Sequence, residues 1–159
     1  MPSGRGLQTT NKGALTAVQS GVAGEYLCAG ELSRQGFVAS ITLRNSKGVD
    51  ILVTKENASK KVAIQVKTNY GTSARWVLGQ KAEDYYAKDL FYVFVNLNHG
   101  EAPDYYIVPS KTVADTIKGY YKEWLKTPGR KGQKHNENPM RTFRDKEKKF
   151  LGRWDLLGL

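Results

Sequence analysis

Lys61-Val62-Ala63-Ile64-Gln65-Val66-Lys67 is the stretch that decides the fold. Val62, Ile64 and Val66 alternate with more polar positions, so an extended chain puts them on one face and Gln65 and Lys67 on the other. Upstream, Val49-Asp50-Ile51-Leu52-Val53 is a second short strand, joined to the first by a polar loop from Lys55 to Lys60. Asn45-Ser46-Lys47-Gly48 is a turn, and before it Phe37 to Arg44 alternates with Phe37, Ala39, Ile41 and Leu43 on one face. A helix from about Ala14 to Gln35 precedes these three strands, and Gly36 stops it.

Downstream, residues 69–75 read as a loop and Leu78 to Lys88 as a helix. Leu90 to Leu97 is the most apolar segment and the expected central strand. Asn98 to Pro103 is a turn, and Asp104 to Val108 is a strand that Pro109 ends. Ser110 then has the side chain of an N-cap for a helix to about Leu125. Pro128 to Pro139 is a polar loop, and the apolar Phe150 to Leu157 docks back on the core. The order is helix, three strands, helix, strand, strand, helix, a mixed α/β domain. The expected organisation is a flexible N-terminus over 1–13, an α/β domain over 14–125 and a basic extension over 126–159 that docks on it.

Composition narrows the function. The 159 residues are 40% hydrophobic, enough for a core, and show no glycine period or heptad. The single cysteine, Cys28, excludes an internal disulfide and any zinc site needing two thiolates, and suits a reducing compartment such as a cytoplasm. His99 and His135 are too few for a histidine metal site and read as surface residues. The N-terminal segment has no apolar h-region. The run Leu90 to Val95 is far short of the roughly 20 residues that span a bilayer. A soluble protein with no membrane partner is expected.

The net charge is +10, and it is uneven. Residues 126–153 hold ten basic and three acidic side chains, leaving only +3 for the rest. Clustered Lys and Arg release counterions from nucleic acid, so this stretch is either a phosphate-binding surface or a solvated tail. It is rich in Gly, Pro and Asn, which argues against a membrane-surface helix.

Four polar residues stand out. Glu25 lies among small and apolar neighbours at helical spacing (Val18, Gly21, Val22, Cys28, Ala29 and Leu32), so it needs a cation or hydrogen-bond donors. An ion pair, a metal ligand or an active-site acid would each satisfy it. Asp50 interrupts an apolar strand, either as the end of a turn or as a ligand. Gln65 and Lys67 share a strand face, a pattern also common on solvated edge strands. Taken together they can converge, because Asp50 and Gln65 are 15 positions apart, right for neighbouring strands. Oxygen donors of this kind suit Mg²⁺, and phosphodiester hydrolysis needs an activated water and charge stabilisation that a metal and a lysine supply.

Gly24-Glu25, Leu32, Gly36-Phe37, Val49 to Val53 and Ile64-Gln65-Val66-Lys67 together resemble the PD-(D/E)XK nuclease superfamily over residues 20–97. Gln-X-Lys is similar to the Mrr-like branch, and the helix glutamate to archaeal Holliday junction resolvases and restriction-type enzymes. The resemblance implies a restriction-endonuclease-like core (helix, three strands, helix, strand) with an added C-terminal strand, helix and basic tail. It implies a DNA endonuclease dependent on Mg²⁺ or Mn²⁺. Asp50 would be the main metal ligand, Glu25 a ligand or supporting acid, the Gln65 side chain and the Val66 carbonyl further ligands, and Lys67 the catalytic lysine. Two positions depart from the pattern: Gln65 is neutral, and Val49 stands where the family name has proline.

Arg75 is a candidate for phosphate contact. Tyr70 and Trp76 are candidates for base stacking, with core packing the other reading of Trp76. Lys131, Arg141 and Arg144 are the candidate DNA contacts of the basic stretch. Each of the pairs Tyr85-Tyr86, Tyr105-Tyr106 and Tyr120-Tyr121 is expected to turn one ring in and one out, and Asp145 and Glu147 to pair with nearby cations. A homodimer is expected by analogy. The alternatives are a nucleic-acid-binding module without catalysis, or a partner subunit of a larger restriction, mobile-element or defence system.

Overall fold

The computed structural model describes residues 13–43 and 47–159. The expected flexible N-terminus and most of the turn before Lys47 lie outside them. Helix α1 runs Ala17–Arg34. Thr16 and Gln19 form a reciprocal capping box, the Gln19 N–H donating to Thr16 Oγ1 at 3.1 Å and the Thr16 N–H to Gln19 Oε1 at 3.0 Å. At the other end Gly36 takes φ +90°, the Phe37 N–H donates to Leu32 O and the Gly36 N–H to Ser33 O, a Schellman stop.

Strands β1 (Val38–Ile41), β2 (Ile51–Thr54), β3 (Lys61–Asn69), β5 (Leu90–Asn96) and β6 (Asp104–Pro109) form one sheet in the order β1-β2-β3-β5-β6. β3 and β5 are parallel and the other neighbours antiparallel, so the sheet is mixed. All of β5 is buried, as its composition predicts for an interior strand. One face carries Ile51, Val53, Val62, Ile64, Val66, Val93 and Val95 against Cys28 and Leu32 of α1, with Leu157 from the far end of the chain. The opposite face carries Tyr92, Phe94, Tyr106 and Val108 beneath helix α2 (Ser110–Lys126), which supplies Val113 and Ile117.

The expected helix over 78–88 is not there. Strand β4 (Arg75–Gly79) is followed by one 3-10 turn, Gln80–Glu83. Trp76 and Leu78 point inward while Arg75, Val77 and Gly79 point out, a period of two. The partner is β7 (Met140–Arg144), antiparallel with Trp76 opposite Phe143. This pairing spans some sixty residues and leaves no local signature. The parallel β3–β5 connection therefore crosses through a strand and a 3-10 turn, not a full helix.

Smaller departures have equally physical causes. Leu43 is 86% exposed and takes no part in the inward face of β1 that Phe37, Ala39 and Ile41 form. Ser110 is fully buried and caps nothing: its hydroxyl accepts from the Ala87 N–H and donates to Ala87 O, tying α2 to the turn before β5. Glu147 pairs with Lys149 at 2.9 Å, whereas Asp145 makes no direct ion pair among the described residues and only adds its charge to the field at Lys149. Its carboxylate is buried and accepts the backbone N–H groups of Lys149 and Phe150. Only Tyr105-Tyr106 splits with one ring fully buried; Tyr85 and Tyr86 are both exposed. No helix among the described residues is long and apolar enough to cross a membrane.

Candidate active site

The site forms where β2 parts from β3. Their ladder ends at the pair Ile51 and Ile64. One residue earlier the Asp50 N–H still donates to Ile64 O, at 2.8 Å. Beyond that the side chain replaces the strand: Asp50 Oδ2 accepts the Val66 N–H at 2.7 Å. A carboxylate held by a backbone donor is fixed in place. Even-numbered backbone groups of β3 face β2 here, so the Val66 carbonyl is directed to the same edge as its N–H. Asp50 thus stands beside Gln65-Val66.

Glu25 reaches this edge from α1. The buried line of the helix is Ser20, Gly24, Cys28 and Leu32, so half-buried Glu25 sits beside that line and Val18 is out in solvent. Glu25 and Asp50 line a common hollow with Gly21, Val22 and Thr42. Glycine at 24 is what lets the helix come this close, since a Cβ there would lie 1.8 Å from Thr68 Oγ1 on β3.

Gln65 and Lys67 project from the other face of β3, into a cavity of about 660 Å³. Lys47, Lys81, Asp84, Tyr85 and Tyr92 complete its polar wall, and Leu78 and Ala82 its apolar one. Gln65 Oε1 is buried with no hydrogen-bond partner. A buried acceptor without a donor is costly, and a cation would satisfy it. Asp50 is felt on both sides of the sheet. Burial first, then the charges of Tyr85 and Asp50, push the Tyr92 hydroxyl up to about 12. On the α1 side burial, then Asp50 and Glu31, push the Cys28 thiol up as well, so it is inert.

The oxygen donors are divided by the sheet: Asp50 and Glu25 share the α1-side hollow, the Gln65 amide opens into the cavity on the other face, and the Val66 carbonyl lies at the edge between them. That set suits a hard cation such as Mg²⁺, which keeps several waters and needs few protein ligands. Among the described residues no three His, Cys, Asp or Glu side chains cluster as a metal cage. Lys67 and its cationic neighbours make the cavity attractive to phosphate.

Two candidate DNA contacts are taken up by the fold itself. Trp76 is 2% exposed and its Nε1–H donates to Val95 O, so its ring is unavailable for stacking on bases. Arg141 is 4% exposed: it pairs with Glu83, donates to Asn138 O and Met140 O, and lies 3.3 Å from the Tyr121 ring centroid. Arg75 and Lys131 are exposed, and Arg144 is half-buried. Sequence reasoning did not name Tyr92 or Lys47 for the site. A tyrosine inside an apolar strand was the available signal for the first, and the turn before Asp50 hid the second.

No known protein-family profile matches the chain, and no curated protein does. Among solved structures, the Holliday junction resolvase Hjc of Archaeoglobus fulgidus is similar, with a TM-score of 0.48 and 13% identity over 87% of this chain and 95% of that one.

Proposed function

We propose that the chain is a metal-dependent endonuclease that hydrolyses DNA phosphodiester bonds, built on a restriction-endonuclease-like core of the Gln-X-Lys kind. The observation that carries this reading is the Asp50 carboxylate held on the Val66 N–H beside Gln65, whose buried Oε1 has no partner. Asp50 and the Val66 carbonyl, at the edge where β2 and β3 part, would hold Mg²⁺ or Mn²⁺, with Glu25 reaching it from the α1 side and the Gln65 amide oxygen from the other. The bound metal would supply Lewis-acid stabilisation of the phosphate and a more acidic water. Lys67, on the Gln65 side of β3, orients the attacking water or balances charge developing on phosphorus. Lys47 and Lys81 draw the DNA backbone to the cavity. A homodimer would bring two such sites to the two strands of a duplex.

The test is cleavage of supercoiled plasmid and of a four-way junction with Mg²⁺, with Mn²⁺ and with EDTA. Asp50→Asn keeps an oxygen for the Val66 N–H and should fold normally. It and Lys67→Ala should each lower cleavage by about a hundredfold or more. Asp50→Asn cutting at the wild-type rate would sink the assignment.

The neutral Gln65 and the pair of carboxylates favour a second reading, a nucleic-acid-binding module that does not cut. DNA bound by the wild type but never cleaved under any metal would establish it. Failure to bind DNA at all would leave the partner-subunit reading.

A further inference from the structure

We propose a second subsite, on the far side of the β4–β7 ribbon from the core, that takes one unpaired nucleotide of a DNA strand. Arg75 and Arg144 hold its phosphate, and the ring of Tyr120 receives its base against a wall formed by Trp124. The proposal rests on DNA being the partner, not on cleavage.

Three observations carry it. Arg75 and Arg144 are direct cross-strand partners in the β4–β7 pair. Like charges at such a position repel, and an anion between them removes the penalty. Among the described residues neither arginine is in an ion pair. The acid next to Arg144, Asp145, is committed to the Lys149 and Phe150 amides. Second, Arg144 Nε is buried with no acceptor, while the guanidinium lies 5.4 Å from the Tyr120 ring centroid. An arginine fork binds phosphate through paired donors, and its plane can rest on an aromatic face at the same time. Third, the arginines share a cavity of about 140 Å³ with Tyr120, Trp124 and Met140. That is close to the cavity of about 150 Å³ that accepts a benzene ring. His135 stacks on Trp124 at 4.0 Å and Tyr121 stacks on it at 5.8 Å, so Trp124 is a packed wall of the pocket and Tyr120 the ring left to stack on a base.

A base inside a duplex stack cannot enter a pocket of this kind, so the subsite selects unpaired nucleotides: a branch point, a flap or a single-stranded end. The same chemistry would admit a free mononucleotide, which the test separates.

The experiment is fluorescence anisotropy with the full chain in EDTA, so that no cleavage intervenes. The probes are a thymidine strand of about 12 nucleotides, its abasic counterpart and a blunt duplex. Thymidine monophosphate is the competitor. The wild type should prefer the thymidine strand to the duplex by about tenfold. Tyr120→Ala should weaken the thymidine strand about tenfold and leave the abasic strand unchanged. The double variant Arg75→Gln with Arg144→Gln should lower the log–log salt slope for the single strand by about 0.7, one phosphate contact. It should melt no earlier than the wild type, because a repulsive pair is gone. Equal losses on thymidine and abasic strands, or an unchanged salt slope, overturn the proposal. Displacement of the strand by micromolar thymidine monophosphate shifts the ligand to a free nucleotide and overturns the strand assignment. A protein that binds as expected but never cuts overturns the nuclease reading and leaves the subsite standing.

Discussion

At the scale of single residues, the centre of the candidate site is set by a few atoms. Asp50 does the work of a strand residue with its side chain, and Gln65 contributes an acceptor without a charge. Gly24 governs how Asp50 meets Glu25, because the helix backbone rests directly on Thr68. Gly24→Ala is the sharpest local test. A methyl 1.8 Å from Thr68 Oγ1 must push α1 away from β3, and overpacking of this sort costs about 1–3 kcal/mol. We expect a lower Tm, with cleavage reduced more than in a surface variant of equal Tm. Recovery of both in Gly24→Ala with Thr68→Ala would confirm the cause, and an unchanged Tm would refute it. That Asp50 lies beside the backbone of the Gln65-Val66 strand segment was legible in the sequence because strand periodicity and a 15-residue separation act locally. Burial of Trp76 was one of the two readings the sequence left open, and the structure selects it; the burial of Arg141 was not legible. Their partners, Val95 O and Glu83, lie 19 and 58 residues away, and for Arg141 nothing local marks the side chain as inward.

Among the elements, the β4–β7 ribbon is the part the sequence concealed. β7 places Arg141 inward between two strand positions of opposite character, so its alternation looks like charge in a basic tail. The arginine is neutralised by Glu83 from the 3-10 turn, and both are nearly excluded from water. Removing one member of such a pair strands the other. Arg141→Ala should therefore lower stability by about 3–5 kcal/mol, measured by urea titration. The opposite outcome, normal stability with weakened DNA binding, would return Arg141 to the DNA surface. α1 and β5 were readable because each carries its whole signature within its own length: an i, i+4 buried line in one and an unbroken apolar run in the other.

For the whole molecule, two cores share one mixed sheet, and titration links them to solvent at high pH. Tyr92 and Tyr105 are both pushed up to about 12, chiefly by burial. An unfolded chain releases those protons near pH 10. Between about pH 10 and 12 the unfolded state therefore binds fewer protons, and stability falls as pH rises through that window. Thermal melts should show this loss above pH 10, and Tyr92→Phe should flatten it; an identical slope in the variant would rule Tyr92 out. The α/β class was legible from the order of periodic segments, whereas the final layout depended on contacts between chain segments far apart. The ribbon also has a consequence for synthesis. β7 emerges 61 residues after the end of β4, roughly 3–12 s later at ordinary translation rates. Until then the ribosome holds a chain whose Trp76 and Leu78 have no strand to cover them. Truncation after Lys126 makes that exposed state permanent, so such a fragment should collect on chaperones and in inclusion bodies.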